Sequence, residues 1–129
     1  MNEPVKEIYE HEFDELLAGT DKLVVVEFYM TTCPGCAALE PIYKEVAESM
    51  GEDAIFTKVD VKRNMQLALR FGIMSTPTIK FFCSSRPISE MVGETNKTIL
   101  ANTVKDLIKY RTECVASSTA IRYDIDGYA

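Results

Sequence analysis

The sequence predicts an α/β domain, and three observations carry that reading. Short β-branched and aromatic runs alternate with stretches of helical period. Leu23 to Tyr29 (Leu-Val-Val-Val-Glu-Phe-Tyr) is apolar on both parities except at Glu27, the pattern of a strand covered on both faces. Thr78 to Cys83 and Ile88 to Val92 flank a turn over Cys83 to Pro87, so they can pair as a hairpin that closes the sheet.

Taken in order, Val5 to Tyr9 reads as a short edge strand. His11 to Ala18 is helical, with Phe13, Leu16 and Leu17 on one side and Gly19 as a stop signal. The covered strand Leu23 to Tyr29 follows. Pro34 to Met50 is a long helix with Leu39, Ile42, Val46 and Met50 at helical spacing, ended by Gly51. Pro41 inside it lacks an N–H and its ring meets the carbonyl of Ala37, which predicts a kink. Ala54 to Val59 is the next strand, and Arg63 to Arg70 a short helix ended by Phe71-Gly72. After the hairpin, Thr98 to Tyr110 forms a helix with an apolar stripe through Ile99, Leu100, Thr103, Val104, Leu107 and Ile108. The domain is read over residues 1–112 and a C-terminal tail over 113–129. In the tail Ser117-Ser118-Thr119 is a loop signal, and Ile121, Tyr123 and Ile125 alternate with polar residues as a short strand would.

Composition bounds the function classes. The 129 residues are 47% hydrophobic and 26% charged, which favours one globular domain over disorder. The longest apolar run, Leu23 to Val26, is too short to span a bilayer. Met1 to Ile8 lacks the basic-then-apolar pattern of a secretory leader, so a cytoplasmic location without a membrane role is expected. A net charge of −6 argues against non-specific nucleic-acid binding, which needs a basic surface. That figure conceals 13 acids and 3 bases in residues 1–53 against 7 acids and 11 bases in residues 54–129. The imbalance reads as solvated helix faces. Four cysteines are too few for a disulfide scaffold but enough for a redox or metal site.

The chemistry gathers at Cys33-Pro34-Gly35-Cys36. A bare C-x-x-C is moderate support alone; its position after a covered strand and at a helix start adds much more. Cys33 falls near the N-cap and Pro34 at the first helical turn, where a missing N–H costs nothing. Free backbone N–H groups and the positive helix end favour a thiolate at Cys33. A spacing of three puts Cys36 on the same side, within disulfide reach. An acidified nucleophile with a resolving thiol behind it is what thiol–disulfide exchange requires. Glu27 interrupts an apolar strand six residues before Cys33, and Lys58 interrupts the next strand, which suggests a Glu27–Lys58 contact. Burial raises the pKa of such a carboxyl and a lysine opposes the rise; a carboxyl poised near neutral pH can take the proton of Cys36. Thr76-Pro77 opens a strand, where proline fits best and where a cis bond carries only a small penalty.

With these residues the chain resembles the thioredoxin family over about Val5 to Tyr110. The resemblance rests on Val-Val-Glu-Phe-Tyr before the cysteines, Pro41 five residues after Cys36, Lys58, Asp60, Thr76-Pro77-Thr78 and Gly93. It implies a central mixed sheet of about five strands with helices on both faces. It implies Cys33 as attacking thiol, Cys36 as resolving thiol, Glu27 as buried acid with Lys58 beside it, and Pro77 as a cis-proline against the disulfide. It also implies that the Thr76 backbone receives a substrate's extended chain, with Thr32, Pro34, Gly35, Met74, Ser75 and Gly93 completing the surface. The implied activity is a protein-disulfide oxidoreductase that needs no cofactor beyond its own Cys33–Cys36 disulfide and no metal. The implied partners are disulfide-containing proteins and a thioredoxin-reductase-type electron donor, with the protein acting as a monomer. Four residues depart from the family pattern: Thr32 where a Trp is usual, Pro34-Gly35 where Gly-Pro is usual, and Glu27 where Asp is usual. Proline directly after the first cysteine is similar to glutaredoxins.

Three other readings stand beside this one: a glutathione-dependent variant, a non-redox peptide-binding module on the same fold, and a zinc site made by Cys33, Cys36, Cys83 and Cys114. The zinc reading lacks a second close cysteine pair. Cys83 reads as a half-buried core residue and Cys114 as a free or intermolecular thiol. His11 reads as a solvent-facing neighbour of a helix cap, and Met30 as core or substrate surface.

Overall fold

The structure, a computed structural model, describes residues 3–128, with side chains described up to Arg111 and at Cys114. The elements are β1 (Val5–Glu7), α1 (Glu10–Ala18), β2 (Leu23–Tyr29), α2 (Pro34–Met50), β3 (Ala54–Asp60), α3 (Met65–Arg70), β4 (Thr78–Cys83), β5 (Arg86–Val92) and α4 (Lys97–Tyr128). The strands form one mixed sheet in the order β1-β3-β2-β4-β5. β1, β3 and β2 run parallel, and β4 and β5 pair antiparallel beyond them.

β2 lies in the centre, which explains its apolar run: both of its faces are covered. Leu23 and Val25 point to the side where α2 (Leu39, Tyr43, Val46, Ala47) and α4 (Leu100, Val104) pack. Val24, Val26 and Phe28 point to the opposite side, against Phe13 and Leu17 of α1 and Leu67 of α3. The same parity sends Glu27 to the α2 side, at the end of the strand nearest the cysteines. Tyr43 is fully buried there, and its hydroxyl sits 2.6 Å from the Thr57 carbonyl oxygen and 3.1 Å from that of Val25. This polar anchor fixes the middle of α2 against two neighbouring strands. The α1–α3 side is fastened by the Glu10 carboxylate, which accepts the Gln66 N–H at 2.7 Å.

Several boundaries differ from the sequence reading. β1 stops at Glu7, α3 starts at Met65, and β5 begins at Arg86 because the β4–β5 turn is tight. Ser84 and Ser85 both take positive φ in that turn (51° and 69°). The helix α2 continues as one element through Pro41. The largest correction concerns the C-terminus. The short strand expected over residues 121–125 does not form, and α4 runs on to Tyr128. No Gly or Pro interrupts residues 97–126, and lengthening an existing helix is far easier than nucleating a new element.

The second correction concerns two cysteines. Cys83 and Cys114 form a disulfide with a Cα–Cα distance of 6.5 Å, tying the end of β4 to α4. Both are buried. Neither is the isolated thiol that the sequence suggested.

Candidate functional site

Cys33 is the N-cap of α2, in extended conformation, with Pro34 as the first helical residue. This placement leaves the first-turn N–H groups free to point at the Cys33 sulfur. The Cys36 N–H takes that role, donating to Cys33 Sγ at 3.1 Å. On the other side the Cys33 thiol donates to the Thr76 carbonyl at 3.4 Å. Both Cys33 and Cys36 are free thiols; Cys33 is half-buried and Cys36 is buried.

The two thiols are driven apart. Partial burial raises the Cys33 pKa, but hydrogen bonds from Cys36, from the Thr76 side chain and from the backbone of Cys36 and Gly35 outweigh it, and the thiol titrates below its usual range. Burial pushes the Cys36 thiol up to about 11, and its hydrogen bond to Cys33 adds to the rise. One cysteine is therefore set up to be a thiolate and the other to keep its proton until it is needed.

The Thr76-Pro77 bond is cis, and Pro77 is buried. Its carbonyl accepts the Gly93 N–H at 2.8 Å, which joins the loop before β4 to the loop after β5. Gly93 has φ +90°, a conformation that side chains rarely adopt. Gly35 lies against this corner. A Cβ there would meet Pro77 Cδ at 3.2 Å and Glu94 Cγ at 3.3 Å. The motif thus packs directly on the cis-proline, with Thr32 and Pro34 exposed beside it. Ser75 and Met74 lead into Thr76, and Met74 is 94% exposed. They rim an open apolar groove of about 620 Å³ that also includes Met30, Val61, Met65 and Leu69.

On the inner side, Glu27 is 4% exposed and lies in register opposite Lys58 of β3. Burial raises its pKa to about 7, Lys58 lowers it, and Glu40 and Glu7 raise it further. Glu27 and Cys36 line a common cavity of about 210 Å³. Glu27 and Lys58 are neighbours across β2 and β3 and line the same cavity, but the ion pairs of Lys58 within 4.0 Å are with other carboxylates. Lys58 Nζ lies 3.8 Å from Glu40 Oε2 and 4.0 Å from Glu7 Oε1.

The sequence-predicted residues therefore fall on one continuous surface around Cys33, with Glu27 and Lys58 behind Cys36. Four contributors were missed. Glu40 stands one helical turn after Cys36, so its spacing could have revealed it. Glu7 and Tyr29 depend on the β1–β3–β2 register, and Glu94 depends on the Gly93 turn; neither leaves a local signal. His11 is exposed, its ring stacked beside Tyr9 at 6.2 Å. Among the described residues no group of three or more His, Cys, Asp or Glu is arranged to hold a metal ion.

Comparison with known proteins agrees with this geometry. A family model described as Thioredoxin matches residues 4–106. The chain is 38% identical over 98 residues to a thioredoxin of Mycoplasmoides gallisepticum, covering 76% of this chain and 92% of the relative. It is 31% identical over 97 residues to a thioredoxin of Alicyclobacillus acidocaldarius, covering 75% and 91%. Among solved structures it is similar to thioredoxin of Malassezia sympodialis, with TM-score 0.73, 30% identity and coverage of 79% and 89%. It is likewise similar to a mutant thioredoxin of Halobacterium salinarum, with TM-score 0.73, 28% identity and coverage of 82% and 94%.

Proposed function

The chain belongs to the thioredoxin family, and from that premise we propose that it reduces disulfide bonds in proteins through a Cys33/Cys36 dithiol–disulfide cycle. Thiol–disulfide oxidoreduction is the family's chemistry, and it uses no external cofactor. Disulfide substrates and a reductase partner come with the family.

The observation that supports the reading is the seat of the Cys33 sulfur, between the Cys36 N–H at 3.1 Å and the Thr76 carbonyl at 3.4 Å. The nucleophile thereby adjoins a backbone on which an extended chain can dock. Cys33 thiolate attacks one sulfur of the substrate disulfide. A mixed disulfide forms, and the other substrate sulfur leaves as thiolate. Cys36 then loses its proton and attacks the Cys33 sulfur. That closes the Cys33–Cys36 disulfide and releases the second substrate thiol. The substrate gains two electrons and the dithiol loses them. In this scheme Glu27, which lines a cavity with Cys36, accepts the Cys36 proton. A thioredoxin-reductase-type donor returns the two electrons.

The same proposal holds the protein to be a cytoplasmic monomer that engages neither membrane nor nucleic acid, in keeping with its negative charge. A zinc site of four cysteines loses two of its ligands, since Cys83 and Cys114 are bonded to each other. The test is thiol release from a disulfide-bonded protein by the reduced chain, with Cys33→Ser and Cys36→Ser beside it. Cys33→Ser is expected to abolish turnover, and Cys36→Ser to accumulate a mixed disulfide with the protein substrate. Full turnover by Cys33→Ser overturns the reading. Trapping of glutathione alone on Cys36→Ser replaces it with the glutathione-dependent one.

A further inference from the structure

The most unusual feature near the site is the company kept by Lys58. Its strand register puts it opposite Glu27, yet its ammonium turns to two other carboxylates. Glu40 reaches it from α2, one helical turn beyond Cys36, at 3.8 Å. Glu7 reaches it from β1 at 4.0 Å. Glu7 is itself held in place: the Tyr29 hydroxyl lies 2.8 Å from its Oε1 and 2.7 Å from its Oε2. The Tyr29 ring also faces the ammonium, 5.4 Å from its centroid. The Glu27 carboxyl is left with no ion pair within 4 Å among the described residues, facing the cavity it shares with Cys36, Glu40 and Lys58.

We propose that Glu40 is a positioning residue that, together with the Tyr29-anchored Glu7, holds the Lys58 ammonium off the Glu27 carboxyl. The proposal deepens the dithiol–disulfide reading and rests on it for the role of Glu27. A lysine free to turn inward would pair with Glu27 and keep it as a carboxylate that has little pull on the Cys36 proton. A lysine engaged by Glu40 and Glu7 leaves Glu27 with a basicity closer to that of the thiol it serves. The directions of electrostatic influence agree: Lys58 lowers the Glu27 pKa, while Glu40 and Glu7 raise it. Among the described residues, the titratable groups around Glu27 include Tyr29 of its own strand β2. β3 presents Lys58, β1 presents Glu7, and α2 presents Cys36, Glu40 and the buried Tyr43. β4 presents uncharged Ile79. The side chain of Glu40 is 71% exposed, so changing it leaves the core intact.

The experiment titrates the Glu27 carboxyl by NMR in the reduced protein, beside the pH profile of Cys36 attack on a preformed Cys33 mixed disulfide. Variants are Glu40→Gln, Glu7→Gln/Glu40→Gln, and each in a Lys58→Met background. Glu45→Gln serves as a charge control, because Glu45 pairs with Lys97 at 2.9 Å. Glu40→Gln is expected to lower the Glu27 midpoint by about half a pH unit or more, the double variant to lower it further, and Glu45→Gln to leave it in place. In the Lys58→Met background the effect of Glu40→Gln is expected to shrink. An unmoved midpoint in Glu40→Gln overturns the proposal. So does an undiminished shift without Lys58, since Glu40 would then act by its own charge. The NMR titration reads Glu27 directly, so it remains decisive even if protein-disulfide reduction proves not to be the activity.

Discussion

The Cys33 thiol donates to the Thr76 carbonyl oxygen across 3.4 Å, so the nucleophile and the backbone that precedes the cis-proline form one site. The Thr76 side chain also favours the charged forms of both cysteines. The nucleophile and this backbone therefore meet at a single residue, and its hydroxyl can be separated from its carbonyl by substitution.

Thr76→Val keeps the shape and the carbonyl and removes the hydroxyl. The Cys33 thiol is expected to titrate higher by about half to one pH unit, since a hydrogen bond to the charged form is lost. Alkylation rates of the reduced protein between pH 5 and 9 check this. An unchanged midpoint means that the hydroxyl contributes nothing to the thiolate.

Glu27 makes stability depend on pH. Its folded pKa of about 7 lies above the unfolded value of 4.5, so the folded state holds a proton that the unfolded state releases. Stability is fully present below about pH 4.5 and falls as pH rises through 7, by on the order of 3 kcal/mol in total. Glu27→Gln is expected to remove most of that fall, making the variant the more stable protein at pH 8. It should also slow Cys36 attack roughly tenfold or more at pH 7, because the proton acceptor is gone. Denaturant titrations at pH 5 and pH 8, beside decay of a Cys33 mixed disulfide, measure both effects. A variant that resolves the mixed disulfide at the unaltered rate removes Glu27 from the proton transfer.

The legible and illegible parts of this molecule divide by range. The covered strand Leu23–Tyr29, the helix start at Cys33-Pro34 and the interruption at Glu27 are local patterns, and each has its physical cause within a few residues. Helices on both faces follow from the two apolar parities of β2. The engagement of Lys58 by Glu7 and Glu40 does not have such a cause. It needs β1 beside β3 and β3 beside β2, a register that no single segment encodes. The Cys83–Cys114 bond also joins residues 31 apart and forms only because α4 continues past Tyr110. Serines and alternating apolar residues beyond Cys114 suggested loop and strand, yet a helix already nucleated upstream overrides such weak local preference.

The Cys83–Cys114 disulfide closes a loop whose ends are 31 residues apart, and constraining that loop in the unfolded chain stabilises the fold by about 3–4 kcal/mol. Cys83→Ala/Cys114→Ala is expected to lose stability of that order while its Cys33 alkylation profile stays as in the parent protein. Non-reducing denaturant titration gives the first quantity, and pH-dependent alkylation gives the second. Equal stability of parent and variant would falsify the tie.

The apolar groove beside Thr76 gives the last prediction. Met65, Leu69 and Met74 are 62%, 71% and 94% exposed, and the groove they line holds about 620 Å³ next to the docking backbone. Apolar side chains left in water at such a place add binding when a substrate covers them, and they do nothing for a substrate too small to reach them. Leu69→Lys and Met74→Lys are therefore expected to raise KM for a disulfide-bonded protein about tenfold, with kcat and the reaction with a small aliphatic disulfide nearly unchanged. Folding stability should shift by less than about 0.5 kcal/mol, since both residues are exposed. The discriminating measurement is the ratio of kcat/KM for the two substrates. A common fall for both would place the effect on the thiol chemistry, and no fall for the protein substrate would show that the groove stays empty during the reaction.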